Sequence, residues 1–267
     1  MRSVVVLLAG DSGDGIQLLG GQIVRAAAQS GRDVRTLSDF PAEIRAPQGT
    51  VSGVSGFQFR IASDAIHDPG ARADCLVAFN AAAYTKYASQ LKPGGLLLVA
   101  SEGFDARSLA LAKLASDSDL LSAAREQFRV LEVPVKDLTL GALAEVSLGQ
   151  RDKMRARNML VLGILTWMYS MPAEVVETEL LALFRGDETN ILAYKAGLNF
   201  AETLEVQDYR VELEHQGVER GTYKTINGSH AVALAQPHFF YCLRLGWKMN
   251  MRKIFCNNLR INDEVLV

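Results

Sequence analysis

The chain opens on an unbroken apolar run, Ser3 to Ala9 (SVVVLLA), rich in β-branched residues, which predicts a strand buried on both faces of a parallel sheet. A polar turn, GDSGDG, follows. Beyond it Ile16, Leu19, Ile23 and Ala26/Ala27 recur at spacings of three and four, with Gly31 as a stop, so Ile16 to Gln29 predicts a helix. The alternation continues. Asp33 to Leu37, Asp74 to Phe79 and Leu96 to Ala100 read as strands, Ala81 to Gln90 as a helix, and Val130 to Val133 as one more strand. This order predicts an α/β fold, a doubly wound and mostly parallel sheet of Rossmann-like type.

From Lys136 to about Val206 helical periodicity replaces the strand signal, notably in Met154 to Tyr169 and Glu174 to Phe184, so helices should cover the sheet. Gln207 to Gly221 is charged and turn-prone and reads as a linker. Gln236 to Val267 differs from everything before it, with five aromatic, five basic and two acidic residues and a net charge of +3. With 28 Lys+Arg against 30 Asp+Glu overall, the rest of the chain is mildly acidic, which offers no global field for nucleic acid. The uncharged run Asn158 to Ala173 has the length of a buried helix and is too short to cross a membrane. No signal-peptide pattern is visible, so the expected compartment is the cytoplasm.

The glycine turn, Gly10, Asp11, Ser12, Gly13, Asp14 and Gly15, sits at the carboxyl end of the first strand, where ligands bind in open α/β sheets. Glycines permit close backbone approach, and amides at the start of a helix can hold an anion. Two related motifs fail to match. A phosphate-binding P-loop needs Lys-Ser/Thr after its last glycine, and Ile16-Gln17 stands there; the dinucleotide fingerprint GxGxxG would end at Leu18. The two aspartates would repel a phosphate unless they face away or cap the helix. A ligand loop and a tight turn with capping aspartates therefore both remain open.

A second stretch, Asp39 to Thr50, is stiffened by Pro41 and Pro47 and presents Glu43 and Arg45, as ligand contacts or as a surface ion pair. It leads into Val51 to Ile61, a strand-like run whose Gly53 and Gly56 invite close packing by another chain. LKPGG at Leu91 to Gly95 reads as a helix end and a turn. His67, His215, His230 and His238 show no metal-ligand spacing. Cys75, Cys242 and Cys256 are too few for an iron–sulfur cluster held by this chain alone, so a redox centre must come from a partner.

Taken together, AGDSGDGIQLLGGQ (Ala9 to Gln22), LSDFPAEIRAPQGTVSGVSGFQ (Leu37 to Gln58), LVAFN (Leu76 to Asn80) and LKPGG closely resemble the N-terminal, gamma-type domain of 2-oxoacid:ferredoxin oxidoreductase alpha subunits, nearest the 2-oxoglutarate type. The resemblance implies a subunit of an enzyme that oxidatively decarboxylates a 2-oxoacid to its acyl-coenzyme A and passes electrons to ferredoxin. It implies that thiamine diphosphate, Mg and a 4Fe-4S cluster sit on a partner beta subunit, with none held by this chain alone. Coenzyme A is the co-substrate. On this basis Gly10, Asp11, Ser12, Gly13, Asp14, Gly15, Glu43 and Arg45 are expected near the coenzyme A end or at the subunit interface, with no catalytic residue or metal ligand among them. No membrane partner is expected.

The resemblance divides the chain into a gamma-type domain over 1–206, the linker 207–221, the start of a pyrimidine-binding-like domain over 222–235, and an atypical tail, 236–267. The tail bears no likeness to the family, which points to truncation or a reading-frame change near Ala235, with an extra extension as the rival reading; a truncated subunit would be inactive alone. Two other functions compete. A class I methyltransferase would use the glycine loop, Asp39 after the second strand and LKPGG, although its usual GxGxG spacing is absent. A non-catalytic assembly module would use the glycine-rich strand and basic tail alone.

Overall fold

The computed structural model describes residues 2–41, 43, 46–115, 119–203, 209–213, 225–226 and 265–266. Six strands form one sheet: β1 (Ser3–Asp11), β2 (Asp33–Asp39), β3 (Val54–Ala62), β4 (Ala73–Ala78), β5 (Leu91–Ala100) and β6 (Arg129–Val133), in the order β2-β3-β1-β4-β5-β6. β1, β4, β5 and β6 run parallel, as Leu7 beside Leu76 and Leu98 beside Leu131 show. β3 is antiparallel to both β1 and β2. The mostly parallel α/β fold is as expected, and the inserted antiparallel strand is the feature that alternation alone did not reveal. A separate two-residue pair joins β7 (Thr225–Ile226) to β8 (Val265–Leu266).

Every residue of β1 beyond Ser3 is buried, because successive side chains enter opposite layers. Val4, Val6 and Leu8 face a core shared with Ile16, Leu19 and Ile23 of α1 (Ile16–Gln29). Val5, Leu7 and Ala9 face the other layer, with Ala81, Ala82 and Ala83 of α2 (Ala81–Tyr87) and Leu109 of α3 (Ala106–Leu111). α4 (Leu120–Arg125) lies on that second side through Ala124.

The first side is completed by α5 (Val135–Ala142), which is followed by the short α6 (Gln150–Lys153) with no buried residue, and by α7 (Arg157–Met168), α8 (Ala173–Leu183) and α9 (Glu188–Thr203). α7 is buried around its whole circumference, which is why its sequence carries no polar stripe. It can approach α9 this closely because a Cβ on Gly197 would stand 1.9 Å from the Leu160 carbonyl oxygen. The described part of the 207–221 stretch packs on the same helix, with the Val211 amide donating to the Met168 carbonyl at 2.7 Å.

LKPGG lies within β5 rather than before it. Leu91 already pairs with Ala73, the register then shifts, and Leu96 pairs with Cys75. Gly94 has φ +70°, so the expected turn exists as an irregularity inside the strand.

Candidate functional site

The loops after β1, β4 and β5 converge at the carboxyl end of the parallel strands. Gly10 lies so close under Phe79 and Asp14 that a Cβ would stand 3.1 Å from the Phe79 Cβ and 2.8 Å from Asp14 Oδ2. Asn80 caps α2, its Oδ1 accepting the Ala83 amide at 2.8 Å. Gly103 packs against the Phe79 carbonyl. These are the walls of a crevice where strand connections leave in opposite directions, since α1 covers one face of the sheet and α2 the other.

Both loop aspartates turn inward, and neither caps α1. Asp14 Oδ2 accepts the Asp11 amide at 2.9 Å, and its Oδ1 accepts from Arg157 Nη2. Asp11 Oδ2 accepts the Gly49 amide at 2.8 Å, which clasps the second loop to the first. The helix begins instead on Gly15 in the left-handed region, φ +72°, with Asn158 packed where a side chain would project. Ser12 is exposed and its amide donates to the Gly53 carbonyl at 3.1 Å. Gly13 is exposed, and the amides of Gly13, Gly15, Ile16 and Gln17 make no hydrogen bond among the described residues. The first turn of α1 contains no acidic residue.

Burial, with Asp14 adding to it, pushes the Asp11 carboxyl above the ordinary range; the Gly49 amide, Asn80 side chain and Arg157 offset part of this. Asp11 Oδ1 is buried without a hydrogen-bond partner. Glu102, just past β5, is also pushed up by burial, against backbone amides and Arg157, with Asp137 adding to the rise. Arg157 is thus the cation among three carboxylates, Asp11, Asp14 and Glu102, and it lies 5.9 Å from the Phe79 ring centre.

At the edge of the crevice Asp39 binds the Tyr87 hydroxyl, and Lys86 Nζ stands 3.0 Å from Asp39 Oδ2. Burial raises the Asp39 carboxyl, but these two partners outweigh it and hold the group below its usual range. The close approach at Gly56 is made by this same Tyr87, whose hydroxyl would lie 2.3 Å from an added Cβ, not by another chain. β3 is an interior strand with both edges paired, whereas Gly53 lies in the turn before it, beside Ala46.

Of the eight expected site residues, the six of the glycine turn form one continuous rim of the crevice. Glu43 is exposed, its carbonyl accepting the Ala46 amide at 3.3 Å, and among the described residues no hydrogen bond or ion pair joins its side chain to the turn. Arg45 lies outside the described residues. Arg157, Asn80, Glu102 and Asn158 belong to the site but were not expected there. Arg157 carried a usable signal, since a cation opening a helix sits at the unfavourable end of its dipole unless an anion meets it.

The sequence that builds this sheet matches a known family over most of its length. The chain belongs to the pyruvate ferredoxin/flavodoxin oxidoreductase family, whose model matches residues 5–200. Within it, the 2-oxoglutarate oxidoreductase subunit KorA of Mycobacterium tuberculosis is 39% identical over 237 residues, which are 87% of this chain and 36% of that protein. The chain therefore spans little more than a third of that relative's length. Its fold is similar to that of 2-oxoglutarate:ferredoxin oxidoreductase from Magnetococcus marinus, solved with 2-oxoglutarate, coenzyme A and succinyl-CoA bound (TM-score 0.66, 22% identity, 87% of this chain and 36% of that one). It also resembles the keto/oxoacid ferredoxin oxidoreductase gamma subunit of Geobacter sulfurreducens (TM-score 0.50, 20% identity, 74% of this chain and 98% of that one). The methyltransferase reading is not supported: the family is another one, and Asp39, which that reading needed free for a ligand, is held by Tyr87 and Lys86.

Proposed function

We propose that this chain acts as the gamma-type part of a 2-oxoglutarate-type 2-oxoacid:ferredoxin oxidoreductase alpha subunit, working in the cytoplasm beside a beta subunit. The observation that carries this reading is the inward turn of Asp11 and Asp14. Their carboxylates are taken up by Gly49, Arg157 and the loop backbone, so the amides of Gly13, Gly15, Ile16 and Gln17 are left to an external anion. Such a rim suits the phosphates of coenzyme A. Glu43 and Arg45 would then serve the same end of the substrate or the subunit contact. Phe40, 68% exposed, and Leu37, 50% exposed, give the adjoining rim an apolar patch suited to a partner.

The family's cluster and metal do not fit the described residues. Cys75 is buried in the sheet, and burial pushes its thiol up to about 12, far from the thiolate a cluster requires. Among the described residues no group of three His, Cys, Asp or Glu side chains is gathered as ligands. In this reading a beta subunit brings thiamine diphosphate, Mg and the 4Fe-4S cluster, and ferredoxin receives the electrons. This chain's residues bind, orient and shield. No described helix is long and apolar enough to cross a membrane. The tail and the opening of a further domain, 222–267, fall almost wholly outside the described residues.

The test is to purify the chain from its own cells and assay what accompanies it. A thiamine- and iron-bearing partner is expected, with 2-oxoglutarate- and coenzyme A-dependent reduction of a viologen dye by the complex and none by the chain alone. Turnover of a 2-oxoacid by the isolated chain would overturn the proposal.

A further inference from the structure

Gln48, on the second loop, reaches over the glycine turn. A Cβ added to the exposed Gly13 would meet Gln48 Nε2 at 3.7 Å, and apart from its chain neighbours it would meet nothing else within 4 Å. Gln48 is itself exposed, and among the described residues neither its carboxamide nor the Gly13 amide makes a hydrogen bond.

The backbone that carries Gln48 is pinned on both sides. Before it, the Pro47 carbonyl accepts the Thr50 amide at 3.3 Å and the Thr50 hydroxyl at 2.7 Å. After it, the Gly49 amide donates to Asp11 Oδ2 at 2.8 Å, and Gly49 sits at φ +81° with Leu111 of α3 where a side chain would project. Further on, the Gly53 carbonyl accepts the Ser12 amide at 3.1 Å. None of these bonds uses the Gln48 side chain, so the loop keeps its place whatever that side chain does. The carboxylates of the turn, which could accept from it, are engaged with Gly49, Arg157 and the loop backbone. Donors on two loops therefore face the same rim without an acceptor of their own, an arrangement that suits a tetrahedral oxyanion approached from more than one side.

We propose that Gln48 is a phosphate-binding residue of this site, donating from Nε2 to the same anion that the amides of Gly13, Gly15, Ile16 and Gln17 hold from the α1 side. The inference rests on the reading of the turn as the site for the phosphates of coenzyme A, and adds a residue from the second loop to it. Binding should then follow the chemistry at position 48: a donor strengthens it, an apolar side chain removes the contact, and a carboxylate opposes it.

Calorimetric titration of coenzyme A into the purified complex, native or carrying Gln48→Lys, Gln48→Leu or Gln48→Glu, tests this. Gln48→Lys is expected to bind at least as tightly as the native protein, Gln48→Leu about tenfold more weakly and Gln48→Glu at least about thirtyfold more weakly. In viologen-dye turnover Gln48→Leu should raise KM for coenzyme A by the same factor and leave kcat and KM for 2-oxoglutarate unchanged. The thermal melts of all three variants should match the native protein, because the position is exposed and its side chain holds no part of the loop. Equal affinity across the series while Gly13→Asp still weakens coenzyme A would overturn the role of Gln48 and leave the turn as the site. No effect of Gly13→Asp either would overturn both readings. A loss with Gln48→Lys as large as with Gln48→Leu would show that side-chain shape rather than donation matters, and would also overturn the proposal.

Discussion

Arg157, the first residue of α7, places its guanidinium on the carboxylate of Asp14, 143 residues earlier in the chain. Asp14 keeps 3% of its side chain exposed and Arg157 keeps 32%, so the carboxylate is the buried partner and the arginine its cover. The pair ties the helical half of the molecule to the glycine turn.

Removing the arginine strands a buried charge. Arg157→Met should therefore cost about 2 kcal/mol in urea unfolding, less than a fully buried pair because the arginine is partly solvated. The double variant Asp14→Asn/Arg157→Met should be more stable than Arg157→Met alone. If the two substitutions are simply additive, the pair has no coupling and the tie is not real.

Asp11 makes the opposite prediction. Its folded-state pKa is raised by burial and by Asp14, so folding favours the protonated form. The favourable contribution is present below the unfolded carboxylate value and is lost as pH rises through the higher folded value. Asp11→Asn keeps an acceptor for the Gly49 amide and carries no charge. It should raise stability by roughly 1 kcal/mol at neutral pH, with the gain fading below the ordinary carboxylate range. Thermal melts of both proteins across pH check this, and a variant less stable at pH 7 would show that the ionised carboxylate is needed.

Gly15 and Gly94 share a left-handed backbone, φ +72° and +70°, but only Gly15 faces a neighbour, Asn158, while Gly94 looks into open space. Gly94→Ala should cost about 1 kcal/mol from backbone strain alone. Gly15→Ala should cost more, because the Asn158 amide would have to move as well. Equal losses in calorimetric melting would mean that the contact with Asn158 carries no weight.

Much of this architecture could be read from pattern. The β-branched run Ser3 to Ala9 and the spacing from Ile16 to Gln29 are local signals, and they correspond to β1 and α1. The uncharged run from Asn158 identified the buried α7 because a helix enclosed on every side has no polar stripe to show. The position of β3 was not legible, since strand order depends on partners, Val54 beside Asp11 and Ala62 beside Asp33, that no local period encodes. The glycine turn was visible as a candidate, but the direction of its aspartates was not. That direction is set by Gly49 and Arg157, which approach only once the sheet and α7 are assembled.

In the proposed function the glycine turn offers its amides to the phosphates of coenzyme A. Calorimetric titration of coenzyme A into the purified complex tests this directly, comparing the native protein with Gly13→Asp, a change at an exposed glycine where an added Cβ would meet Gln48 Nε2 at 3.7 Å, an ordinary contact. A carboxylate placed there should weaken coenzyme A at least about tenfold, with an unchanged thermal melt. Equal affinity for the two proteins would show that coenzyme A does not bind at this turn.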